Sequence, residues 1–409
     1  MNGAESLINA LAKHGVDACF ANPGTSEMQL VAALDKQTGI RAVLCLFEGV
    51  VTGAADGYGR MADKPALNLL HLGPGFANGM ANLHNAQRAG SPVLNMVGDH
   101  ATDHLQHDAP LTSDIKGMAT PVSRSFRVSD SATGLAQTGL DALADSLKHN
   151  GSISTFVVPA DHAWTDIEES LSELPDTPLN IVSDAVISEV AAQLQSASNS
   201  CLFLGGRTLR EDALYQAGRI AAATGCRLVT ETFFARQARG VGRVPTERLA
   251  YFGEAATEQL AGIDLLVLAG TKAPVSFFAY PDKPSVLAPE VATQCTLVDP
   301  GSDALVGTSL IKSSWQQIFN PISKRFFDIK EINQILTGSF CVRLVQENIY
   351  LEEKNFAAPP VYATNIYQKI DSSWFMISHH ASMSSIILDP DFFSSRRDTN
   401  TTSQSDDLH

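Results

Sequence analysis

Short apolar runs alternate with amphipathic segments along the first 165 residues of this chain. The apolar runs are typical of buried strands, and they read VDACFA, RAVLCLF, ALNLLHL, SPVLNMVGD and STFVVP. The segments between them have helical periodicity, and one of them, Glu5–Lys13, ends just before Gly15, a residue type that commonly follows helices. Strands that alternate with helices predict a parallel sheet with helices on both faces.

The same alternation returns after a polar stretch. Residues 171–186 read LSELPDTPLNIVSDAV, and the two prolines in this stretch are typical of a linker. Beyond it, the strand-like runs SCLFLGG, CRLVTE, DLLVLAG and TQCTLVD predict a second parallel sheet. We therefore predict a first domain over residues 1–168, a linker over 169–184 and a second α/β domain over 185–310.

The composition changes from Ile311 onward. The last 99 positions contain 13 of the 29 aromatic residues but only one of the 29 glycines, Gly338. Because the glycine-rich turns of the preceding domains stop here, we predict an atypical tail over residues 311–409 rather than a third domain of the same kind. Its polar end, SSRRDTNTTSQSDDLH, is typical of disorder.

Charge and cysteine usage exclude several classes of protein. The net charge of −15 argues against binding to the phosphate backbone of nucleic acids. No run approaches the roughly 18 apolar residues of a membrane helix, and the N-terminus lacks the apolar region of a signal peptide, so we expect a cytoplasmic protein. None of the six cysteines forms a C-x-x-C pair, which predicts buried, reduced thiols.

The stretch LFEGVVTGAADGYGRM, residues 46–61, places an acid directly after a strand-like run. Glu48 lies where the second strand should end, and functional side chains gather at the carboxyl ends of parallel strands. Its apolar neighbours predict poor solvation, which favours the neutral acid, a form that can donate a hydrogen bond. Gly49, Gly53 and Gly57 recur every four residues, so we expect a smooth helix face that a backbone or a flat ligand can approach. The alternative is a surface acid beside glycines that pack the helix on the sheet.

Three stretches together resemble the thiamine diphosphate-dependent enzymes of the acetolactate synthase, benzoylformate decarboxylase and pyruvate decarboxylase group. They read GVDACFANPGTSE, LFEGVVTGAADGYGRM and LHLGPGFANGMANLHNAQRAGSPVLNMVGD, and they occur in the family's order over most of residues 1–100. With the strand pattern, this resemblance implies an α/β fold class. We expect two doubly wound parallel-sheet domains, one pyrimidine-binding-like and one middle Rossmann-like, followed by an irregular C-terminal tail.

The resemblance also implies roles for several residues. In this family a glutamate after the second strand contacts the aminopyrimidine ring of thiamine diphosphate and exchanges a proton with a ring nitrogen. Glu48 matches that glutamate, so we expect it to be both catalytic and cofactor-binding. Pro23 and Gly24 match a loop near the cofactor, and we expect Gly24 to supply a turn conformation that other residues resist. Gly73 and Asn78 are expected to face the same cleft.

His71 ends the strand-like run ALNLLHL, before a Gly-Pro-Gly turn. The benzoylformate decarboxylase branch has a histidine at the matching place, where it transfers a proton to or from the substrate. The resemblance therefore implies a catalytic role for His71. The alternative is a histidine that is hydrogen-bonded at a strand end.

The segment GDHATDHLQHDAP contains three histidines and three aspartates. His100 and His104 are four positions apart, a separation that can bind a metal on a helix, but no second cluster of ligands is evident and we expect no metal site. A polar, solvated loop is the simplest interpretation. Pyruvate decarboxylases have a proton-relaying histidine pair in the corresponding loop, and from that resemblance we carry over only His107 as a catalytic residue.

In this family a separate diphosphate-binding module supplies the Mg²⁺ ligands from a Gly-Asp-Gly motif, and this sequence contains no such motif. A diphosphate needs a divalent cation or a cradle of amides to offset its charge. We therefore expect Mg²⁺ and the diphosphate to be held by a module absent from this chain, and a lone chain that is incomplete and inactive. The segment LFLGGRTLRED lacks a full G-x-G-x-x-G, so we expect no FAD in the second domain.

Three hypotheses for the function follow from this sequence. The first is a truncated or mis-joined 2-oxo acid carboligase or decarboxylase in which residues 311–409 are unrelated sequence. The second is a subunit of a split enzyme, and the third is a non-catalytic binding or regulatory protein that keeps the fold. An enzyme of either kind would act on a small 2-oxo acid, as a homo-oligomer or with a partner chain that carries the diphosphate-binding module. A generic nucleotide-binding α/β protein is the remaining alternative, but it would need a glycine fingerprint that this sequence lacks.

Overall fold

The structure, a computed structural model, describes residues 1–168, 172–177, 181–279, 281, 283–299, 325–351, 356–357, 361–370 and 373–383. The chain divides into two compact units, Met1–Trp315 and Gln316–His409. The described residues of the first unit form two parallel sheets, and those of the second unit form an antiparallel sheet. Within the described ranges, no helix combines the length and apolar character needed to cross a bilayer.

The first sheet has six strands, all paired in parallel, in the order β2-β1-β3-β4-β6-β5. Successive strands are added to the sheet in one direction from β1 to β2 and in the other from β3 onward, as in doubly wound folds. A ligand site is expected where this change occurs, beside the carboxyl ends of β1 and β3. The strands are β1 (Ala18–Asn22), β2 (Arg41–Leu44), β3 (Ala66–Leu70), β4 (Val93–Asp99), β5 (Ser125–Val128) and β6 (Ile153–Pro159).

Helices cover both faces of this sheet. Strand β3 is fully buried, and its residues alternate between two cores: Leu67 and Leu69 pack on one side, Ala66 and Leu70 on the other. The first core includes side chains from α1, α2 and α6, and the second includes side chains from α3, α4 and α5. The helices are α1 (Gly3–Lys13), α2 (Met28–Lys36), α3 (Glu48–Ala62), α4 (Leu72–Ala89), α5 (Ile115–Ala119), α6 (Leu135–Leu147) and α7 (Ala160–Trp164).

The second sheet is also parallel, with five strands in the order β11-β10-β7-β8-β9. The predicted pair of doubly wound parallel-sheet domains is therefore confirmed, while the exact domain and linker boundaries stay predictions. The elements are α8 (Asp184–Ser196), β7 (Ser200–Leu204), α9 (Glu211–Thr224), β8 (Arg227–Thr230), β9 (Glu247–Arg248), α10 (Gly253–Gln259), β10 (Leu265–Ala269) and β11 (Thr293–Val298).

The described residues of the second unit form an antiparallel sheet in the order β12-β13-β15-β16, with β14 paired to β13. No strands were predicted from the sequence for these residues of the tail. The final segment that was predicted to be disordered lies outside the described residues. The strands are β12 (Arg325–Leu336), β13 (Phe340–Leu351), β14 (Phe356–Ala357), β15 (Val361–Ile370) and β16 (Ser373–Met383).

All six cysteines are free thiols; five are buried and Cys295 is partly exposed. Burial raises the pKa of Cys19 and of Cys201 to about 12, because a thiolate is poorly solvated in an apolar interior. The prediction of buried, reduced thiols is confirmed. The buried cysteines pack as small apolar side chains.

Two arginines of the second sheet's domain hold the C-terminal end of α3. Asp63, which follows α3 with a left-handed φ of 54°, accepts hydrogen bonds from Arg210 Nη2 at 2.9 Å and Arg236 Nη1 at 3.4 Å. Both guanidinium groups also donate to the carbonyl oxygen of Arg60, at 3.3 and 3.4 Å. Cations near the last carbonyls of a helix interact favourably with its dipole. This clamp fixes α3, whose first residue is Glu48, against the second domain.

Replacing Asp63 should weaken this clamp. We expect Asp63→Asn to lower the free energy of unfolding by about 1–2 kcal/mol, because it removes the charge that both arginines face. Asparagine tolerates the left-handed conformation, so backbone strain is not introduced. Urea unfolding followed by circular dichroism measures the change.

Glu254→Gln is the matched control, because it breaks an exposed ion pair to Lys283 at 3.3 Å. Exposed pairs contribute little, so this variant should unfold close to the wild type. Equal effects of the two substitutions would mean that the clamp is worth no more than a surface pair.

Candidate functional site

Glu48 is the first residue of α3, four positions after the last residue of β2, Leu44. Its carboxyl group is only 7% exposed, so it lies inside the fold and not on its surface. The N-terminus of a helix carries unpaired amides and the positive end of the dipole, which favour an acid at this position. The burial agrees with the expected poor solvation of Glu48; its catalytic role stays a prediction.

The two carboxylate oxygens of Glu48 have different surroundings. Oε2 accepts a hydrogen bond from Asn78 Nδ2 at 3.0 Å. Oε1 lies 3.2 Å from the point where a β-carbon would stand on Gly75, so the missing side chain leaves this oxygen uncovered. Among the described residues Oε1 has no hydrogen-bond donor, and it can therefore meet a donor or acceptor from outside. Asn78 thus lies beside Glu48, and its cofactor-binding role stays a prediction.

Helices α3 and α4 approach each other closely beside this acid. Thr52 donates a hydrogen bond to the carbonyl oxygen of Gly79 at 3.0 Å, and a β-carbon on Gly79 would stand 2.7 Å from the Thr52 methyl group. Asn82 Nδ2 donates to the carbonyl oxygen of Gly49 at 2.7 Å. These contacts fix Asn78 and Glu48 relative to each other, because each residue belongs to one of the two helices.

Only some of the glycines of α3 lie where a side chain would collide with a neighbouring element. A β-carbon on Gly53 would stand 3.1 Å from Asn82 of α4, so this glycine does permit a close approach. Gly57 is exposed, and a β-carbon there would meet nothing within 4 Å. Gly59 lies outside the four-residue series, yet a β-carbon there would stand 2.6 Å from the carbonyl oxygen of Pro92. Of these positions Gly53 makes the close approach to α4, and the approach of a ligand to the glycine face stays a prediction.

His71 pairs with an acid that the sequence analysis missed. His71 Nδ1 lies 2.8 Å from Glu27 Oε2, and the same oxygen accepts a hydrogen bond from the Gly24 amide at 2.8 Å. The Glu27 side chain is 0% exposed, and its second oxygen, Oε1, is buried without a hydrogen-bond partner. His71 is thus hydrogen-bonded at the end of a strand, which was the alternative to a catalytic role. A histidine that is paired with a carboxylate in this way can also transfer a proton, so its catalytic role stays a prediction.

Gly24 has a different purpose from the one predicted. Its φ is −114°, which any residue can adopt, so no special turn conformation is needed. A β-carbon on Gly24 would instead stand 2.3–2.6 Å from three ring atoms of His71. The position requires glycine because the imidazole ring occupies the space of a side chain. Pro23 precedes it, half-buried, in the same loop.

Leu72, directly after His71, has a left-handed φ of 45° although it is buried. This conformation costs an ordinary residue roughly 1–2 kcal/mol. Strained residues of this kind persist only where the surrounding structure holds them, and they occur often at functional sites. The strain here accompanies the turn that directs His71 from the end of β3 towards Glu27.

Gly73 lies in the wall of a cavity of about 470 Å³ beside the first turn of α4. A β-carbon on Gly73 would stand 2.2 Å from Ser113, so α4 and the segment before α5 are tightly packed at this point. The volume is that of a small-molecule site, but the cavity opens widely to solvent, whereas such sites enclose most of their ligand. The cavity is lined by Gly73, Pro74, Ala77, Ser113, Asp114, Gly117 and Met118.

The histidines after β4 form an exposed array of rings. The ring centroids of His100 and His104 are 5.7 Å apart, and those of His104 and His107 are 5.6 Å apart. In the described ranges His107 is hydrogen-bonded through its side chain to neither Glu48 nor His71, so the structure does not bring it to the other predicted site residues. Those ranges also contain no group of three or more potential ligands that could hold a metal ion. Burial raises the pKa of Asp99 at the start of this segment.

An exposed apolar surface lies beside Glu48. Strand β2 is at the edge of the first sheet, and the residues around its end have large exposed fractions, up to 91% for Leu46. Patches of this kind commonly mark interaction sites. We call this the edge surface; its members are Leu44, Leu46, Phe47 and Val50.

The glycine turn after β7 in the second domain is closed by a side chain of the same domain. Glu231 accepts hydrogen bonds from the Gly206 amide at 3.3 Å and from Thr271 Oγ1 at 3.2 Å. Burial raises the pKa of Glu231, because a carboxylate is poorly solvated there. The Gly206 amide, which could otherwise face a phosphate, is therefore turned towards a carboxyl group. The expectation of no FAD stays a prediction.

Comparisons with known proteins agree with this fold. Residues 1–118 match the sequence model described as thiamine pyrophosphate enzyme, N-terminal TPP binding domain. A second model, the SnoaL-like domain, matches residues 290–385. The chain is 48% identical over 304 residues to a Mycobacterium tuberculosis (strain ATCC 25618 / H37Rv) protein named "Putative acetolactate synthase large subunit IlvX". That match covers 74% of this chain and 58% of the relative.

Two solved structures have a similar fold. Benzoylformate decarboxylase from Polynucleobacter necessarius gives a TM-score of 0.67 at 21% identity and covers 78% of this chain and 61% of that chain. The thiamine diphosphate-dependent 4-hydroxybenzoylformate decarboxylase of Rhodococcus jostii RHA1 gives 0.62 at 20% identity and covers 78% and 62%. At these identities the likeness supports the fold alone.

The doubly wound first domain, with a buried acid after its second strand, agrees with the match to the thiamine pyrophosphate enzyme model. Residues 1–118 of this chain resemble the N-terminal domain of the thiamine diphosphate-dependent enzyme family, and the chain is similar over 304 residues to a protein named as an acetolactate synthase subunit. The chain spans about three fifths of the length of the relatives described above. The predicted resemblance to this family is therefore confirmed.

Two glycine substitutions test how tightly the Glu27–His71 pair is held. A β-carbon on Gly98 would stand 1.9 Å from Glu27 Oε1, inside a fully buried region, so Gly98→Ala should destabilise the fold by about 1–3 kcal/mol. Gly57→Ala is the control, because its β-carbon meets nothing and alanine favours a helix by about 0.5–1 kcal/mol. Thermal unfolding should show a lower midpoint for the first variant and a higher one for the second. Equal midpoints would contradict the geometry described for Glu27.

Proposed function

We propose that residues 1–168 form the pyrimidine-binding half of a thiamine diphosphate site, in a protein that decarboxylates or joins small 2-oxo acids. The observation that carries this proposal is the environment of Glu48. Its carboxyl group is buried, one oxygen is held by Asn78, and the other has no partner among the described residues. A side chain arranged in this way can exchange a proton with a bound ring without first losing a hydrogen bond.

The residues beside Glu48 are compatible with the cofactor's pyrimidine end. Gly75 lacks a side chain at the point where Oε1 is uncovered, and a flat ring can approach there. When bound, thiamine diphosphate supplies the carbon centre that stabilises the negative charge formed when a 2-oxo acid loses carbon dioxide. Glu48 holds and moves a proton at Oε1, and Asn78 orients the carboxyl group for that transfer. Pro23, Gly24 and Gly73 shape the surrounding loops.

His71 is proposed to exchange a proton with the substrate. A carboxylate at Nδ1 keeps the proton on that nitrogen and leaves Nε2 available, since the hydrogen bond at one ring nitrogen determines the state of the other. Glu27 therefore acts as a positioning residue for His71. His107 is proposed as a further relay only if its loop moves towards the other site residues on binding.

The diphosphate end needs residues other than those described. No Gly-Asp-Gly motif occurs in the sequence, and the described ranges contain no potential metal cluster. We propose that a diphosphate-binding module supplied by another chain holds the diphosphate and Mg²⁺. The edge surface is the proposed contact for that module, because it is apolar, exposed and adjacent to Glu48. A non-catalytic binding protein that keeps this fold is the second candidate, favoured by the same lack of a metal cluster.

Complementation measures the role of Glu48. The chain is mixed with a full-length homologue whose own matching glutamate has been replaced, and decarboxylation of a 2-oxo acid is followed with thiamine diphosphate and Mg²⁺ present. Wild-type chain should restore turnover, and Glu48→Gln should lower the restored rate by at least about 100-fold, since it removes the proton transfer. Glu211→Gln is the control, because Glu211 is also the first residue of a helix. Near-normal turnover with Glu48→Gln would remove the assignment.

His71 and Glu27 are tested in the same complementation. His71→Phe should lower kcat by about 100-fold, while the affinity for thiamine diphosphate changes little. Glu27→Gln keeps the shape of the side chain, so it should alter the dependence of kcat on pH more than it alters cofactor affinity. A pH profile identical to that of the wild type would contradict the positioning role of Glu27.

A further inference from the structure

Five aromatic side chains form one exposed cluster in the domain of the second sheet. Each of them is between 40 and 66% exposed, and contacting ring centroids lie 4.6–6.1 Å apart. A contiguous apolar patch of this kind on a soluble protein indicates an interaction site. We call it the aromatic cluster; its members are Phe233, Tyr251, Phe252, Phe277 and Phe278.

The cluster lies at the carboxyl edge of the second sheet. Phe233 follows β8, Tyr251 and Phe252 follow β9, and the other two rings belong to the segment after β10. These strands belong to one parallel sheet, so their carboxyl ends share one edge. Most of the ring pairs are edge-to-face, which is a favourable arrangement for aromatic side chains. The rings therefore hold one another in place before any partner binds.

The shape of the cluster favours a protein partner over a small molecule. The crevice between its rings and Lys283 has a volume of about 20 Å³. That is room for about one water molecule, whereas small-molecule sites have volumes of roughly 300–1,000 Å³. The rings fill one another's gaps, so the cluster presents a surface and not a pocket.

The area of the cluster is more than half of one side of a standard interface. An aromatic residue offers about 200 Å², and with about half of it exposed the five together offer about 500 Å². Val275 and Val286, both more than half exposed and paired by a β-bridge next to Phe277, extend this surface. A standard interface buries about 800 Å² on each partner.

The charges at the rim of the cluster favour a second copy of this chain. Glu254 and Lys283 form an ion pair at 3.3 Å, and exposed Arg248 lies nearby on β9. A rim with both signs of charge attracts neither a strongly acidic nor a strongly basic partner, but it is complementary to itself across a two-fold axis. We propose that the aromatic cluster is the centre of a two-fold interface between two copies of this chain.

Sedimentation equilibrium of the full chain tests this interface. The wild type should self-associate, and the double substitution Phe252→Ser with Phe277→Ser should raise the dissociation constant at least about thirtyfold, since central aromatic residues carry most of the binding energy. Because the net charge of −15 opposes association at long range, higher salt should tighten the wild-type dimer. Both rings are exposed, so the thermal midpoint should change little when it is measured at a dilution at which neither protein associates; if the double variant does not fold, Phe252→Ser alone replaces it.

The double substitution Leu46→Ser with Val50→Ser is the matched control, because it removes two side chains from the edge surface instead. Under the proposal this variant associates like the wild type. Loss of association in the control with no loss in the cluster variant would assign the interface to the edge surface and overturn the proposal. A wild-type chain that stays monomeric across the whole concentration series would also overturn it.

Discussion

The hydrogen bond between Asn78 and Glu48 is the contact on which the candidate site depends. A carboxyl group that is 7% exposed needs a donor inside the fold, and Asn78 provides one from the neighbouring helix at 3.0 Å. The two helices can come this close because Gly79 has no side chain to displace Thr52. The acid is therefore positioned by the packing of two helices, which are rigid, and not by a loop.

Unfavourable features accumulate at the end of β3. Glu27 has one buried oxygen without a partner, and a group of this kind costs about 1–3 kcal/mol. Leu72, next to His71, has a left-handed backbone. Both costs fall on residues in or next to the Glu27–His71 pair. Their coincidence is the physical reason for treating the pair as functional.

Local signals predicted the architecture, whereas contacts between distant residues were beyond them. The periodicity of apolar residues and the glycines that follow helices are local features of a sequence. They were therefore sufficient to predict the parallel sheets and the place of Glu48 at the end of a strand. The Glu27–His71 contact joins residues 44 positions apart, and Glu27 alone resembles an ordinary acid at a helix start. The role of Gly24 was predicted wrongly because it also depends on a distant residue. The position needs glycine because the His71 ring occupies the space of a side chain. The strands of the tail did carry a signal in their alternating apolar residues, but the change in composition obscured it.

The two exposed apolar surfaces have separate consequences under the proposed function. Phe47 of the edge surface directly precedes Glu48, so a module docked there would exclude water from the remaining oxygen and strengthen its interactions with a bound ring. The aromatic cluster belongs to the other sheet and shares no residue with the edge surface. Pairing through the cluster would therefore leave the solvation of Glu48 unchanged. Self-association and completion of the cofactor site can then occur together, because each uses its own surface.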